Sequence, residues 1–373
     1  MQLKIVVIQP TSLCNLNCRY CYVPGRRDRR IMNDEILETI FERTLSSNLV
    51  RDRVQFLWHA GEPLLAGKDF YRRAVDFATK HNSRGLKVDF TIQTNATLID
   101  DEWCELFNEH KFHIGVSIDG PAFLHDRQRQ NWAGGSSHAK AMAGYEVLRR
   151  HSIRSGALCV LTRESLEYPY EILEFFVKHG FSSIGFNPEE TENDNQQSSL
   201  DADYEHIVQL YRNFVQTVFK LQRTTYPQLR IREISRVFRV LAEKRKNPHY
   251  YRIPPEIPPL SMITINRDGE ISPYCPEFAG ATSTTYNNFI IGNIALDTID
   301  ALPKSQWFVK LRQDVEKSIE MCASSCRYFD LCGSAPLSNK FSENGTLLST
   351  QTKSCRLDYQ VLSDVLIQEA LKV

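Results

Sequence analysis

The residues of this chain with the greatest capacity for chemistry are its ten cysteines, and they are unevenly distributed. Cys14, Cys18 and Cys21 lie within eight residues near the N-terminus. Three thiolates at this spacing can ligate three corners of a cubane [4Fe–4S] cluster and leave the fourth iron open to an exogenous ligand. Structural zinc would require a fourth Cys or His nearby, and none is present. We therefore predict an iron–sulfur centre with one open position, the alternatives being a zinc half-site or incidental thiols.

A second group of cysteines lies in the last hundred residues. Cys275 stands apart from the others, which form a possible four-ligand set: Cys322, Cys326, Cys332 and Cys355. Four thiolates saturate a cubane, so such a centre would transfer electrons or stiffen the fold; a structural Cys₄ zinc is the alternative. The isolated Cys104 and Cys159 fall in apolar patterns, and we expect both to be buried small hydrophobes.

Composition restricts the class of protein that must position these thiols. The 373 residues carry 45 Lys and Arg against 45 Asp and Glu, without the basic excess usual in nucleic-acid binders. No apolar run approaches the roughly 18 residues of a membrane span, and the N-terminus does not resemble a signal peptide. We therefore expect a cytoplasmic protein without a nucleic-acid or membrane partner, in which the cysteines remain reduced.

The first half alternates apolar strands with amphipathic helices. The apolar pattern predicts six strands, at about 4–9, 54–59, 87–94, 114–118, 155–161 and 183–187. Six consecutive β/α units imply a parallel sheet covered by helices, either a closed or partial barrel or a doubly wound open sheet. In both, chemistry is located at the carboxyl ends of the strands, and the cysteine triplet follows the first strand.

The pattern changes near residue 200. We predict an α/β domain over 1–200, bridging helices and a Pro-rich linker over 201–255, and a cysteine-rich α+β domain over 256–373. A hairpin centred on Arg267-Asp268-Gly269 opens this last domain, and a helix over about 356–371 closes the chain.

The triplet and three later motifs together resemble the radical S-adenosylmethionine (SAM) enzymes. The motifs are Cys14–Tyr22, His59–Pro63, Gln93–Asn95 and Ser117–Gly120, each expected after its own strand. The resemblance implies a partial (β/α)6 TIM-like barrel of radical SAM type. It also implies that the open iron chelates SAM, whose reductive cleavage yields a 5′-deoxyadenosyl radical that abstracts hydrogen from the substrate.

The resemblance also implies a set of SAM contacts. Glu62 would accept a hydrogen bond from the methionine ammonium, Gly61 would allow close backbone approach, and Arg129 would meet the SAM carboxylate. Ala60 and Ala96 stand where the family often has glycine. The full set of implied cofactor-binding residues is Tyr20, Gly61, Glu62, Asn95, Ser117, Asp119, Arg129 and Asn187.

The C-terminal cysteines resemble the SPASM extension of radical SAM peptide-modifying enzymes. Full SPASM domains hold two auxiliary clusters on seven cysteines, but here one cysteine is absent after Asn293 and Pro336 stands where another would follow Cys332. We therefore expect one auxiliary [4Fe–4S] cluster on the four-cysteine set. Cys275 is then either a leftover or a functional thiol near the active site.

Finer motifs resemble the cyclophane-forming GrrM/OscB-type peptide maturases. They are Leu13–Cys18, Tyr22–Arg26, Cys332–Lys340 and Ser342–Gly345. The resemblance implies hydrogen abstraction from a β-carbon of a ribosomal precursor peptide with a leader, followed by bonding to an aromatic ring. An electron donor such as flavodoxin or ferredoxin would supply the reductant.

The ring must finally lose an electron and a proton. Glu277 and Asp268 are candidate bases, with Cys275 beside Glu277 as a candidate catalytic thiol. The acidic run Glu189–Glu192 is expected to be a solvated loop, with pairing to a basic peptide residue as the alternative. Thioether crosslinking, formylglycine formation and a non-catalytic metal-cluster protein remain the competing functions.

Overall fold

The computed structural model describes residues 1–372, which form one ten-stranded sheet and its covering helices. Its first six strands are parallel and adjacent in chain order. They are β1 (Ile5–Ile8), β2 (Arg53–Trp58), β3 (Lys87–Thr94), β4 (His113–Ser117), β5 (Ser155–Leu161) and β6 (Ser183–Pro188). Each matches a predicted strand to within two residues.

The strand order distinguishes the two topologies that the sequence left open. A doubly wound sheet reverses its order at a switch point, whereas these six strands follow one another without reversal. The sheet ends at β7 (Arg230–Ile231) on one side and β10 (Gly292–Asn293) on the other. The chain is therefore a partial barrel, as predicted.

The C-terminal region extends the same sheet. Strand β8 (Met262–Ile265) pairs parallel with β1, and β9 (Glu270–Pro273) pairs antiparallel with β8. This is the predicted hairpin, with Gly269 at φ +82° in its turn. Strands on both sides of residues 200 and 255 are thus hydrogen-bonded in one sheet. The domain boundaries predicted at these residues stay predictions.

Thirteen helices cover the sheet in the described residues. In chain order, α1 to α8 are Asp34–Ser46, Lys68–His81, Asp101–Glu109, Ala122–Gln128, His138–Arg150, Pro169–Lys178, Tyr204–Thr224 and Arg232–Lys246. The remaining five, α9 to α13, are Gln306–Ser325, Phe329–Cys332, Leu337–Asn344, Lys353–Cys355 and Leu362–Leu371. The predicted final helix over 356–371 is interrupted, because a wider π-helical turn occupies Arg356–Val361 before α13 begins.

Local chemistry explains where the first helix begins and how it packs. Asn33 caps α1 by accepting a hydrogen bond from the Ile36 amide at 2.8 Å. Phe41 of α1 is fully buried, and its ring lies 4.6 Å from that of Phe56 on β2. Such contacts hold the helices on the outer face of the sheet, so that the strand ends are fixed in position. Of the helices described, none is both long and apolar enough to cross a membrane.

Candidate active site

Residues at the carboxyl ends of all six parallel strands line one cavity of about 230 Å³, here called the central cavity. Cys14, Cys18 and Cys21 line it from the loop after β1. The predicted cofactor-binding and catalytic residues that also line it are Tyr20, Gly61, Asn95, Ser117, Arg129, Asn187 and Glu277. Four others do not, namely Glu62, Asp119, Asp268 and Cys275.

The cysteine loop is held by backbone contacts with neighbouring strand ends. Gly61 has φ +59°, and a Cβ there would lie 2.7 Å from the carbonyl oxygens of both Thr11 and Leu13. The next amide, Glu62 N–H, donates to that Leu13 oxygen at 2.8 Å. Trp132 Nε1 donates to the Cys14 carbonyl at 2.8 Å on the other side. Only glycine allows this approach, so Gly61 acts on the thiols through the loop backbone.

The carboxylate of Glu62 joins the ends of β2 and β3 rather than facing the cavity. It is 1% exposed and accepts hydrogen bonds from Thr94 Oγ1 at 2.7 Å, the Asn95 amide at 2.8 Å and the Leu64 amide at 3.1 Å. Burial raises the pKa of Glu62 to about 6. The predicted contact of Glu62 with the SAM ammonium stays a prediction.

Asp119 is the centre of a buried ionic network under the cavity wall. Arg129 donates to both of its oxygens, from Nε at 2.9 Å and from Nη2 at 3.1 Å. The Tyr20 hydroxyl donates to Oδ2 at 2.5 Å and the Val160 amide donates to Oδ1 at 2.9 Å. Because Asp119 already has four donors, we infer that it positions Tyr20 and Arg129, which themselves line the cavity.

Three smaller polar groups complete the SAM side of the cavity. Asn95 Nδ2 donates to Asn15 Oδ1 at 2.8 Å, and Ser117 Oγ accepts from Gln93 Nε2 at 2.9 Å. Asn187, at the end of β6, is exposed, and its Oδ1 accepts from Arg232 at 2.5 Å. All three line the central cavity, where the resemblance expects SAM contacts.

Four glutamates line the same cavity, and three of them are here called the carboxylate trio: Glu190, Glu192 and Glu277. The fourth, Glu189, is held by the Ser199 amide at 3.0 Å. Burial, together with repulsion from Glu277 and Asp358, raises the pKa of Glu190 to about 8. Burial, together with repulsion from Glu190 and Glu277, raises the pKa of Glu192 well above its usual range. Burial raises the pKa of Glu277 to about 7. Glu192 is only 3% exposed, so the expectation of a solvated acidic loop is wrong. The folding of the loop after β6 against α11 buries this run, which charge pattern alone does not reveal.

The hydroxyl of Tyr22 lies beside this trio. It is buried without a hydrogen-bond partner among the described residues, and burial with the neighbouring Glu277 charge raises the Tyr22 pKa well above its ordinary value. The Asn339 amide, fully buried on α11, donates to Glu192 at 3.4 Å. The central cavity is therefore lined both by the three thiols and by the carboxylate trio.

Asp268 and Cys275 are not brought to this cavity. Asp268 lies on the β8–β9 turn with a half-exposed side chain that pairs with Arg30 at 3.2 Å. Cys275 is 2% exposed, and burial raises its thiol pKa well above the usual value. A buried thiol of high pKa is a poor nucleophile. Their geometry supports neither predicted catalytic role, whereas Glu277 lines the central cavity.

The four C-terminal cysteines line a single pocket, here called the cysteine pocket: Cys322, Cys326, Cys332 and Cys355. Two of the sulfurs accept amide hydrogen bonds, Cys332 from Ser334 at 3.3 Å and Cys355 from Thr352 at 3.2 Å. Lys340 Nζ donates to Cys322 Sγ at 3.2 Å. Donors directed at the sulfurs stabilise thiolate ligands and tune iron–sulfur clusters, so these residues fit a cubane.

The two cysteine sets differ in spacing from a site that binds a single metal ion. Among residues 1–372, no three His, Cys, Asp or Glu side chains are grouped closely enough to hold one metal ion. A cubane differs from a single ion because each thiolate binds a different iron. Cys104 and Cys159, predicted to be apolar core residues, are both fully buried.

A third cavity shares lining residues with both cysteine sites. This lateral groove, about 610 Å³ in volume, shares Glu190 and Glu277 with the central cavity. It shares Pro336 and Tyr359 with the cysteine pocket. Sequence reasoning missed the groove and Lys340. Lys340 ends the motif Cys332–Lys340, but nothing in the sequence marks this lysine as buried beside a thiol.

Comparison with known proteins matches the first half of this architecture to one family. The model of the radical SAM superfamily matches residues 8–176. The uncharacterized protein sll1766 of Synechocystis sp. is 37% identical over 98% of this chain and 91% of its own length. A serine-type anaerobic sulfatase-maturating enzyme of Bacteroides thetaiotaomicron is 37% identical over 49% of this chain, and the match spans 45% of that enzyme.

Solved structures resemble the chain over almost its whole length. Native anSMEcpe with bound AdoMet and Cp18Cys peptide has a TM-score of 0.81 at 23% identity, covering 99% of this chain and 98% of its own. Streptococcus suis SuiB bound to the precursor peptide SuiA has a TM-score of 0.66 at 16% identity, covering 95% of this chain and 76% of its own. These likenesses extend the shared fold through the cysteine pocket.

The family determines what the N-terminal thiols bind. Radical SAM enzymes use a [4Fe–4S] cluster and SAM, and the three cavity-lining cysteines have the spacing that this cluster requires. Burial raises the pKa of Cys18 to about 11, so iron binding must be coupled to loss of the thiol proton. The chain belongs to the radical SAM superfamily.

Proposed function

We propose that this enzyme joins a β-carbon of a ribosomal precursor peptide to a nearby aromatic ring, forming a cyclophane. The observation that carries the proposal is the central cavity itself, which the three cluster-binding thiols and the carboxylate trio line together. Bound SAM and its cluster supply a 5′-deoxyadenosyl radical. Every other requirement of the reaction falls on the side chains of this chain.

The balance of the reaction defines those requirements. The peptide loses one Cβ hydrogen atom to the deoxyadenosyl radical, and a carbon–carbon bond forms between Cβ and the ring. The ring then loses one proton and one electron to regain aromaticity. The site therefore needs a proton acceptor near the ring and an electron acceptor within reach.

The carboxylate trio fits the role of proton acceptor. A general base works best when its pKa lies near the operating pH, and burial raises the pKa values of Glu277 and Glu190 to about 7 and 8. Of the two candidate bases predicted from sequence, Glu277 and Asp268, only Glu277 lines the cavity, where Glu190 and Glu192 join it. Tyr22, whose hydroxyl lacks a partner within the described chain, lies close enough to affect the same carboxylates.

The cysteine pocket fits the role of electron acceptor. Its thiols would hold an auxiliary cluster, and Pro336 and Tyr359 line both this pocket and the lateral groove that Glu190 and Glu277 also line. The proposed partners are a precursor peptide, which would enter through the groove, and an electron donor such as flavodoxin or ferredoxin. The peptides bound by anSMEcpe and SuiB support a peptide substrate.

Formylglycine formation is the second candidate. The 37% identity to a sulfatase-maturating enzyme supports it, although that match spans about half of each chain. It also removes two hydrogens, but one from Cβ and one from the hydroxyl or thiol of a single Ser or Cys. The product is an aldehyde, reached from Cys after water replaces the sulfur of the thioaldehyde. The two reactions therefore predict different products from the same cavity.

Anaerobic mass spectrometry of reconstituted enzyme distinguishes these reactions. With SAM, dithionite and aromatic-rich precursor peptides encoded beside the gene, we expect loss of two hydrogens and fragmentation blocked between an aromatic residue and its neighbour. Replacement of Glu190 and Glu277 by Gln should reduce crosslinking about 10²- to 10⁴-fold. In this variant, 5′-deoxyadenosine should still form.

The matched control is Glu164→Gln, because Glu164 pairs with Arg127 at the surface and does not line the central cavity. Its crosslinking rate should equal that of the unmodified enzyme. Hydrazide-reactive aldehyde at a Ser or Cys would contradict the cyclophane proposal. So would crosslinking at full rate in the double variant.

A further inference from the structure

Lys340 is a buried lysine that directly contacts a sulfur of the cysteine pocket. Lys340 is 5% exposed, and its ammonium donates to Cys322 Sγ at 3.2 Å. Two hydroxyls fix the ammonium in place, Ser334 Oγ at 2.7 Å and Ser318 Oγ at 2.8 Å. Its three donors are thereby used. Of the three acceptors, only Cys322 would carry charge, as a thiolate once it ligates a cluster.

The location of this ammonium in the fold is specific. Lys340 lies on α11, whereas Cys322 lies on α9 and Ser334 lies between α10 and α11. Three separate segments therefore converge on one cation. Burying a charge is unfavourable unless an opposite charge compensates it, and the two serine hydroxyls are neutral. The compensating charge must come from the ligated thiolates and the group that they hold.

This arrangement has a redox consequence. A [4Fe–4S] cluster carries one more negative charge after reduction, and a nearby buried cation stabilises that form more than the oxidised form. We propose that Lys340 raises the reduction potential of the auxiliary cluster, which makes the cluster a better electron acceptor. The use of this potential, namely removal of the ring electron, rests on the proposed function. The value of the potential does not depend on any peptide.

The test uses the full chain with Cys14, Cys18 and Cys21 replaced by Ala, so that only the auxiliary cluster contributes to the signal. Lys340→Gln and Lys340→Met remove the charge, and Lys340→Arg retains it. Anaerobic redox titration with dithionite, followed by electron paramagnetic resonance, measures the potential. Iron and sulfide content and circular dichroism report loading and folding of each variant.

We expect the reduction potential of both neutral variants to lie below that of the parent by at least about 59 mV. This shift corresponds to a tenfold change in the one-electron equilibrium constant. Lys340→Arg should remain within a few-fold of the parent. Equal potentials in parent, Gln and Met variants would overturn the inference. So would zinc in place of iron, or loss of iron from both neutral variants while they remain folded, since Lys340 would then build the site rather than tune it.

The outcome is separable from the proposed function. If the potential falls as expected but the enzyme yields an aldehyde product, the cyclophane proposal fails and the role of Lys340 stands. If the potential is unchanged but the cyclophane forms, the role of Lys340 fails alone. Ser318→Ala provides an intermediate case, because it removes one neutral anchor of the ammonium and should shift the potential less than Lys340→Gln.

Discussion

Replacing Gly61 by Ala tests how the cysteine loop is held. At φ +59° any L-residue other than glycine is strained by about 1–2 kcal/mol. The new Cβ would also lie 2.7 Å from the carbonyl oxygens of Thr11 and Leu13, and forced overpacking costs about 1–3 kcal/mol more. We therefore expect a destabilisation of about 2–5 kcal/mol.

Gly85 provides a matched control. It has a similar φ of +65°, but nothing lies within 4 Å of the position where a Cβ would be added. Gly85→Ala should therefore pay only the conformational cost, about 1–2 kcal/mol. The difference between the two variants isolates the steric contact with the cysteine loop.

Two assays measure this difference. Urea unfolding of the metal-free protein gives the free energy of unfolding of each variant. Iron content in a Cys322→Ala, Cys326→Ala background reports the N-terminal cluster alone, and Gly61→Ala should lower it because Leu13 directly precedes Cys14. Equal stability and equal iron content in the Gly61 and Gly85 variants would refute the reasoning.

Three further predictions concern other parts of the site. Asp119→Asn should destabilise the protein by about 3–5 kcal/mol in urea unfolding, since it unpairs a buried arginine, whereas Glu164→Gln at an exposed pair should cost under about 1 kcal/mol; equal effects would contradict the network. Because burial raises the pKa of Glu190 from 4.5 to about 8, the folded state binds its proton more tightly than the unfolded state. The contribution of Glu190 to the free energy of unfolding is therefore fully present below about pH 4.5 and is lost as the pH rises to about 8. Glu190→Gln should reduce the pH dependence of the urea midpoint across this range. Metal analysis should find about eight irons per chain in the reconstituted enzyme and about four after Cys322→Ala and Cys326→Ala, against four irons and one zinc if the pocket holds zinc.

The fold was largely predictable because its signals are local and periodic. Strand alternation placed β1 to β6, and Asn33 marked the start of α1 as the cap that it proves to be. The sequence could not distinguish a barrel from a doubly wound sheet, since strand order depends on long-range pairing. The π-helical turn over Arg356–Val361 was missed for a similar reason: its residues have an ordinary helical pattern.

The site was predictable where a motif carries its own geometry. Each cysteine set lines its own cavity, as its spacing predicted. Short spacing within a loop or beside a helix end limits where the thiols can point. The acidic run Glu189–Glu192 was misjudged as solvated, since the burial of Glu192 depends on packing between the loop after β6 and α11. Lys340 was missed because a lysine shows no sequence sign of being buried.

The central claim is that a β-carbon hydrogen of a peptide leaves as an atom and a ring carbon replaces it. The most direct measurement uses a precursor peptide deuterated at the β-carbons, incubated anaerobically with reconstituted enzyme, SAM and dithionite. We predict one deuterium in 5′-deoxyadenosine for each crosslink, in a peptide that retains its aromatic ring and has lost one further hydrogen from it. Deuterium-free 5′-deoxyadenosine, or a labelled peptide that ends as an aldehyde, would contradict the account.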